Sequence, residues 1–402
     1  MKASQTSLGH SPVELAPEDL CSGCAACRAV CPKGALSLVA DAEGFSYPKI
    51  DAARCASCGK CRAACPVLNR GLPREPQAVF AAVANDRRVR DASSSGGIFT
   101  LLARKTLEKG GVVFGAAWDC ASHSVKMVAA HDEQGLAALR GSKYVQAEIG
   151  NAYQEARREL AAGRDVLFSG TPCQIAALNR VVGEKKNERL LTVEVVCHAV
   201  PSPLAFKKYA LWREHVAGHE ISRISSRSKS CEGRRFGMSL SFQDTDIAYL
   251  ASQKEDPFLR GFLSELFSRP SCHACSVREL RSGADLSIAD YWGAEEKFPD
   301  LNAAKWVSLV LANTSKGVRA FDEVAPICCV HESDFADALR ANPTICRSMA
   351  PHPKRERFFR LLSTSDDFDA VVMRVLPPRF KIRLRYWLGR LRGGFGLRKV
   401  KS

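Results

Sequence analysis

CSGCAACRAVCP, Cys21 to Pro32, and CASCGKCRAACP, Cys55 to Pro66, are two copies of one spacing, C-x2-C-x2-C-x3-C-P. Cys21 matches Cys55, Cys24 matches Cys58, Cys27 matches Cys61 and Cys31 matches Cys65, which makes the pair an internal repeat. Thiolates this close in sequence curl round one iron-sulfur cubane, and the fourth corner comes from further away. In chains of this spacing the last Cys of each run ligates the other cluster. Cys21, Cys24, Cys27 and Cys65 are therefore expected on one 4Fe-4S cluster, and Cys31, Cys55, Cys58 and Cys61 on a second. Pro32 and Pro66 turn the chain away and withhold an N–H.

Zinc and disulfides are the competing readings. Zinc takes four ligands, so the third and fourth Cys of each run would be surplus. Disulfides need an oxidising compartment, and MKASQTSLGHSPVELAPEDL has neither an apolar core nor a cleavage pattern. Seventeen Cys without an export signal point instead to metal ligation in the reducing cytoplasm. The module resembles the bacterial dicluster ferredoxins.

The 402 residues are 46% hydrophobic, enough for two or three domains, and no apolar run approaches the ~18 residues of a membrane span. The formal charge is +15. Each 4Fe-4S unit with four thiolates carries about −2, so three would lower the sum to roughly +9. The remaining field favours a small anionic substrate, an acidic redox partner protein or an anionic surface. With no RNP motif, zinc finger or basic heptad, specific nucleic-acid recognition is not expected.

Between the Cys runs, ALSLV and FSYPKI read as hairpin arms around Asp41 to Gly44, and NRGLPREPQ, 69 to 77, reads as a linker. AVFAAVAND reads as a strand before SSSGG, where Ser94 or Ser95 would cap a helix and Gly96 and Gly97 would admit a ligand. Taken alone, SSSGG is better explained as an ordinary capped turn. Lys143 and Tyr144, in GSKYVQ, offer a cation and an aromatic face to a planar anion, or form a surface pair. In DVLFSGTPCQIAALNRVV a short strand leads to Thr171 as N-cap, Pro172 at the first helical position and Cys173 in the first turn, where the helix terminus should favour the thiolate. LLTVEVVCHAVPSP repeats the plan, with Cys197 after a strand and Ser202 and Pro203 opening a helix. If the two strands are parallel neighbours, both thiols lie at the C-terminal edge of the sheet, where open α/β sheets bind ligands. Cys272 and Cys275 complete a third set of four thiols, for a cluster or a structural zinc. Arg281, Asp285 and Asp290 follow, with a salt-bridged surface as the plain explanation. Cys120, Cys231, Cys328, Cys329 and Cys346 have no metal spacing and read as structural thiols. His123, His198 and His273 are isolated, the last two beside proposed ligands. From Pro377 the chain turns strongly basic. Leu384, Trp387, Leu388 and Leu391 share a helical face suited to a peripheral membrane contact or a partner, against the alternative of a solvated terminus.

In order, the Cys repeat, SSSGGIF, GSKYVQ, SGTPCQIAAL, VCHAVPSP and a C-x2-C followed by RSGADLSIADYWG resemble the coenzyme F420 hydrogenase/dehydrogenase beta-subunit family over about residues 15 to 330. The resemblance implies a fold in two classes, α+β and α/β: a dicluster ferredoxin-like module followed by an α/β flavin-binding body. It divides the chain into 1–72, 73–160, 161–350 and a basic tail, 351–402. It also implies an FAD flavoprotein that moves electrons between iron-sulfur clusters and a hydride donor or acceptor. In relatives this is the deazaflavin F420 or an unrelated molecule such as 7-hydroxymethyl chlorophyll, and members of this layout also accompany polysaccharide biosynthesis. Flavin contacts carry over to Ser94, Ser95, Gly96, Gly97, Lys143, Tyr144 and Thr171, and a third 4Fe-4S cluster to Cys173, Cys197, Cys272 and Cys275. Ala289 stands where many relatives have Gly before Asp290. The rival is a non-catalytic electron-transfer subunit docking a separate redox enzyme.

Overall fold

The computed structural model describes residues 13–183, 188–231, 236–304, 306–377 and 397–399. The two Cys runs fold alike. Gly23 and Ser57, then Ala25 and Gly59, are left-handed at matching repeat positions (φ 65°, 50°, 63° and 72°), and each run continues into a one-turn helix, α1 (Ala26–Ala29) and α2 (Lys60–Ala63). Left-handed residues two apart let each run curl tightly, as a turn that wraps a cluster requires. Between the runs β1 (Leu36–Ala40) and β2 (Ser46–Ile50) pair antiparallel. Asp41 Oδ1 closes their turn by accepting from the N–H groups of Glu43 and Phe45 at 2.9 and 2.8 Å.

The body is built on an eight-stranded sheet. Its strands are β3 (Ala78–Ala84), β4 (Val112–Asp119), β5 (Ser124–Ala130), β6 (Val166–Gly170), β7 (Leu190–Val195), β11 (Leu286–Asp290), β12 (Ser308–Ala312) and β13 (Cys328–Ser333), in the order β13-β3-β12-β11-β7-β6-β4-β5. The central four, β11, β7, β6 and β4, are parallel, and the flanking strands pair antiparallel. Val166, Leu167 and Phe168 show why these strands are continuous apolar runs. Val166 and Phe168 face the core of α6 (Ala152–Ala161) and α7 (Pro172–Val182), while Leu167 faces that of α4 (Ile98–Glu108). With both faces covered, alternation has no polar side to show.

A second, antiparallel sheet joins β8 (Ile221–Ser228), β9 (Gly237–Phe242), β10 (Ile247–Ser252) and β14 (Leu397–Lys399), in the order β14-β10-β9-β8. Its core includes Phe206 and Tyr209 of α8 (Pro203–Ala217). The helices Arg355–Leu362 and Phe368–Val375 also pack there, burying Phe358, Leu362, Phe368, Val371, Val372 and Val375. Residues 351–375 thus pack with the body, because Phe and Val at helical spacing find this core. The amphipathic stretch around Trp387 lies outside the described residues. Among those described, no helix is long and apolar enough to cross a membrane.

One local expectation fails. Neither Ser94 nor Ser95 caps α4; Gly97 does, with φ 101° and no side-chain bond. A left-handed residue closes the turn where a hydroxyl was expected.

Candidate functional site

Cys31, Cys55, Cys58 and Cys61 line one cavity, with Leu36 and Ile50 beneath them. Burial raises the Cys61 thiol, and the thiols of Cys31 and Cys55 add to it. Cys27 is pushed up to about 12 by burial, with Cys21 and Cys65 contributing. Cys21 in turn feels Cys65, and Cys24 feels Cys27. The last thiol of each run thus sits with the first three of the other. Cys58 is exposed, which puts its set at the surface.

The third set is assembled by the central strands. After β6, Gln174 Oε1 accepts from the Thr171 N–H at 2.9 Å and fixes the start of α7, with Pro172 in its first turn. Thr171 Oγ1 lies 3.2 Å from Cys173 Sγ, so this hydroxyl touches the thiol. Cys197 follows the parallel neighbour β7, and Ser202 caps α8 by accepting from the Ala205 N–H. Cys272 lies in the 3-10 turn Pro270–Ala274, and Cys275 ends it. The four thiols line one cleft of about 670 Å³ including its mouth, together with Leu20 and Ser22 of the N-terminal module. Cys24 and Cys173 lie within electrostatic reach, so the first and third sets are adjacent.

Burial, opposed by the Thr171 hydrogen bond, raises the Cys173 thiol above its ordinary value. Without a metal, desolvation outweighs the first-turn N–H groups that were expected to favour the thiolate, and a bound cation would restore that preference. Burial also pushes Cys272 up to about 12 and Cys197 well above the usual thiol range.

Two arginines that no motif marks hold this region. Arg269, fully buried, donates to the carbonyl of Cys21 at 2.7 Å, to Gln146 Oε1 at 2.9 Å and to the carbonyl of Ser46 at 3.0 Å, with its guanidinium over Tyr47. It places a positive charge near Cys21 and Cys173 and bridges module to body. Arg278 donates to the carbonyls of Cys197, His198 and Thr344.

The residues expected to contact a flavin divide. The Ser94 hydroxyl accepts from the Ser142 N–H at 2.7 Å, and the Ser95 hydroxyl donates to the Val307 carbonyl at 3.0 Å. A Cβ on Gly96 would fall 2.5 Å from the Ala82 carbonyl oxygen, so strand packing alone requires a glycine here. Lys143 turns inward and donates to the carbonyls of Ala138, Leu139 and Arg140 at 2.8–3.0 Å, closing the C-terminus of α5 (Glu133–Leu139). Its charge is engaged there, and burial lowers it to about 7. Tyr144 packs on Phe262 and Phe236.

What surrounds Ser95 is more informative. Asp290, at the C-terminal end of β11, pairs with Arg227 and feels Ser95 and Lys229. The Arg227 guanidinium lies 4.0 Å from the Phe236 ring centroid, 5.0 Å from that of Trp306 and 5.3 Å from that of Trp292. Lys229 donates to the carbonyls of Arg90 and Ser95, each at 2.8 Å, and burial lowers it to about 8. Asp290 Oδ1 is buried without a hydrogen-bond partner. Arg227 is already paired with Asp290 and Lys229 bonded to two carbonyls, so the aromatic walls and the unsatisfied Asp290 Oδ1 are what the corner offers a planar, hydrogen-bonding group. Of the other polar residues, Asp285 is buried against Thr192, Arg281 meets Glu279 and His198 contacts Glu265.

Residues 79–153 match the family model for the N-terminal part of the coenzyme F420 hydrogenase/dehydrogenase beta subunit, and 163–337 the model for its C terminus. Residues 20–69 match a 4Fe-4S dicluster domain. Among solved structures, a chain of the xenon-derivatised F420-reducing NiFe hydrogenase complex from Methanosarcina barkeri is similar, with 17% identity, a TM-score of 0.45, and coverage of 81% of this chain and 97% of that one. No curated protein matches.

Proposed function

Since the chain belongs to the coenzyme F420 hydrogenase/dehydrogenase beta-subunit family and carries a 4Fe-4S dicluster domain, we propose that it is an iron-sulfur flavoprotein oxidoreductase. Cys21, Cys24, Cys27 and Cys65 hold one 4Fe-4S cluster, and Cys31, Cys55, Cys58 and Cys61 the second. Cys173, Cys197, Cys272 and Cys275 hold a third. The gathering of these last four from three separated segments beside Cys24 carries the reading. Their spread supports a cluster over zinc. Sulfurs 2.3 Å from one tetrahedral ion stand about 3.8 Å apart. Among the described residues, the only three metal-binding side chains with ligand atoms mutually within 4.8 Å are Asp300, Cys329 and His331.

When bound, the clusters supply one-electron transfer and FAD the exchange between single electrons and hydride. Phe236, Trp292 and Trp306 would meet the ring face of the flavin or the substrate and Asp290 Oδ1 a donor N–H or O–H, with Arg227 and Lys229 adding positive field from where their own partners hold them. Asp290, Cys173 and Cys197 follow parallel strands and so share one sheet edge, which brings the corner and the third thiol set to the same side. The exposed Cys58 set is where a redox partner protein would exchange electrons. The substrate is F420 or another small anion, with polysaccharide metabolism as a second setting.

Anaerobic purification followed by flavin extraction tests this. About one FAD per chain, with reduction of an F420-type acceptor by a one-electron donor, supports it. About eight irons and no flavin would instead leave a non-catalytic electron-transfer subunit.

A further inference from the structure

β13 runs along one edge of the eight-stranded sheet. Strand alternation puts Cys329 and His331 on one of its faces, and Cys328, Val330 and Glu332 on the other. The 3-10 turn Pro299–Ala304 folds over the first face and brings Asp300 to it. Asp300 Oδ2 lies 2.6 Å from His331 Nε2 and 3.8 Å from Cys329 Sγ, and all three ligand atoms are mutually within 4.8 Å. The His331 ring stacks on Phe298, with centroids 5.0 Å apart and planes at 27°, which holds its nitrogen toward the carboxylate.

We propose that Cys329, His331 and Asp300 form a peripheral site for a divalent ion of the zinc type, separate from the three thiol sets. Ligands at 2.0–2.3 Å round a tetrahedral ion stand about 3.3–3.8 Å apart. The Cys329–Asp300 separation already matches. The Asp300–His331 contact has to open by less than about 1 Å, from hydrogen bond to shared ligation, and the Cys329–His331 pair, within 4.8 Å, to settle at about 3.5–3.8 Å. Thiolate, imidazole and carboxylate together select a borderline transition ion over magnesium or calcium. Three protein ligands leave the fourth position to water or an external donor. Solvent reaches the trio, since the side chains of His331 and Asp300 are 35% and 56% exposed. A bound ion would tie a sheet edge to the turn that covers it, and edges left open are prone to pairing with other chains. Cys329 reads as a structural thiol in the sequence because its partners stand on another element or one strand position beyond its neighbour.

The test uses cluster-loaded protein, kept anaerobic and dialysed against chelator-buffered Zn²⁺, with zinc and iron measured together. One zinc per chain beyond the iron complement is expected, and X-ray absorption at the zinc edge should show one sulfur at about 2.3 Å with nitrogen and oxygen at about 2.0–2.1 Å. Cys329→Ser and His331→Gln should each weaken zinc binding at least about tenfold with iron unchanged, while Cys120→Ser retains it. Wild type that takes up no zinc, variants that bind it equally well, or an all-sulfur shell overturns the proposal.

Discussion

Cys173 has to be both buried and ionised to act as a ligand, and these requirements conflict until a metal is present. Removing it leaves Cys197, Cys272 and Cys275 as three thiols without a fourth corner. Cys173→Ser should therefore lower the iron content by about four atoms per chain and leave the dicluster spectrum unchanged. Iron equal to wild type would show that the third set holds no cluster. Arg269 is the matching case among the charged side chains. Its guanidinium, itself fully buried, bonds to two carbonyls and one side-chain amide. Arg269→Gln should cost on the order of 3 kcal/mol, seen as a lower urea midpoint of the anaerobic holoprotein. An unchanged midpoint would mean that the bridge from module to body lies elsewhere.

At the scale of single elements, the apolar runs around Phe168 and Val193 are readable as strands because parallel strands covered on both faces have no alternation to mislead. Thr171-Pro172 and Ser202-Pro203 mark helix starts correctly, since capping chemistry is local. Lys143 is different. Its partners are carbonyls ending the preceding helix, so GSKYVQ alone gives no sign that its cation turns inward. That position has a pH signature. Burial lowers Lys143 to about 7, while in the unfolded chain it stays near the ordinary lysine value of about 10.4. Between these values the unfolded state binds more protons, so stability rises with pH through that window, by at most about 1.4 kcal/mol per unit. Comparing urea midpoints at pH 7 and pH 9 should show this rise in wild type and a flatter dependence in Lys143→Met. Equal slopes would place the cause in another group.

Over the whole molecule, the cysteine repeat made the N-terminal module legible, and parallel strand order made the third thiol set legible. Both depend on short-range rules: ligand spacing in one case, and strands that end at one sheet edge in the other. Arg227, Lys229 and Asp290 come from a second sheet and the end of β11, and no spacing links them. Trp306 joins them from before β12. Gly96 packs against β3 and Gly97 is a left-handed helix cap, and a glycine needed for either reason looks the same in sequence as one that admits a ligand. The structure places the exposed Cys58 set outermost, the Cys21 set next and the Cys173 set against the sheet edge, each adjacent to the one before. Iron, zinc and Mössbauer analysis of anaerobic wild-type protein tests that sequence of sites most directly. About twelve irons per chain are expected, all in tetrahedral sulfur coordination as 4Fe-4S clusters. Eight irons with a zinc ion bound by four sulfurs would contradict it.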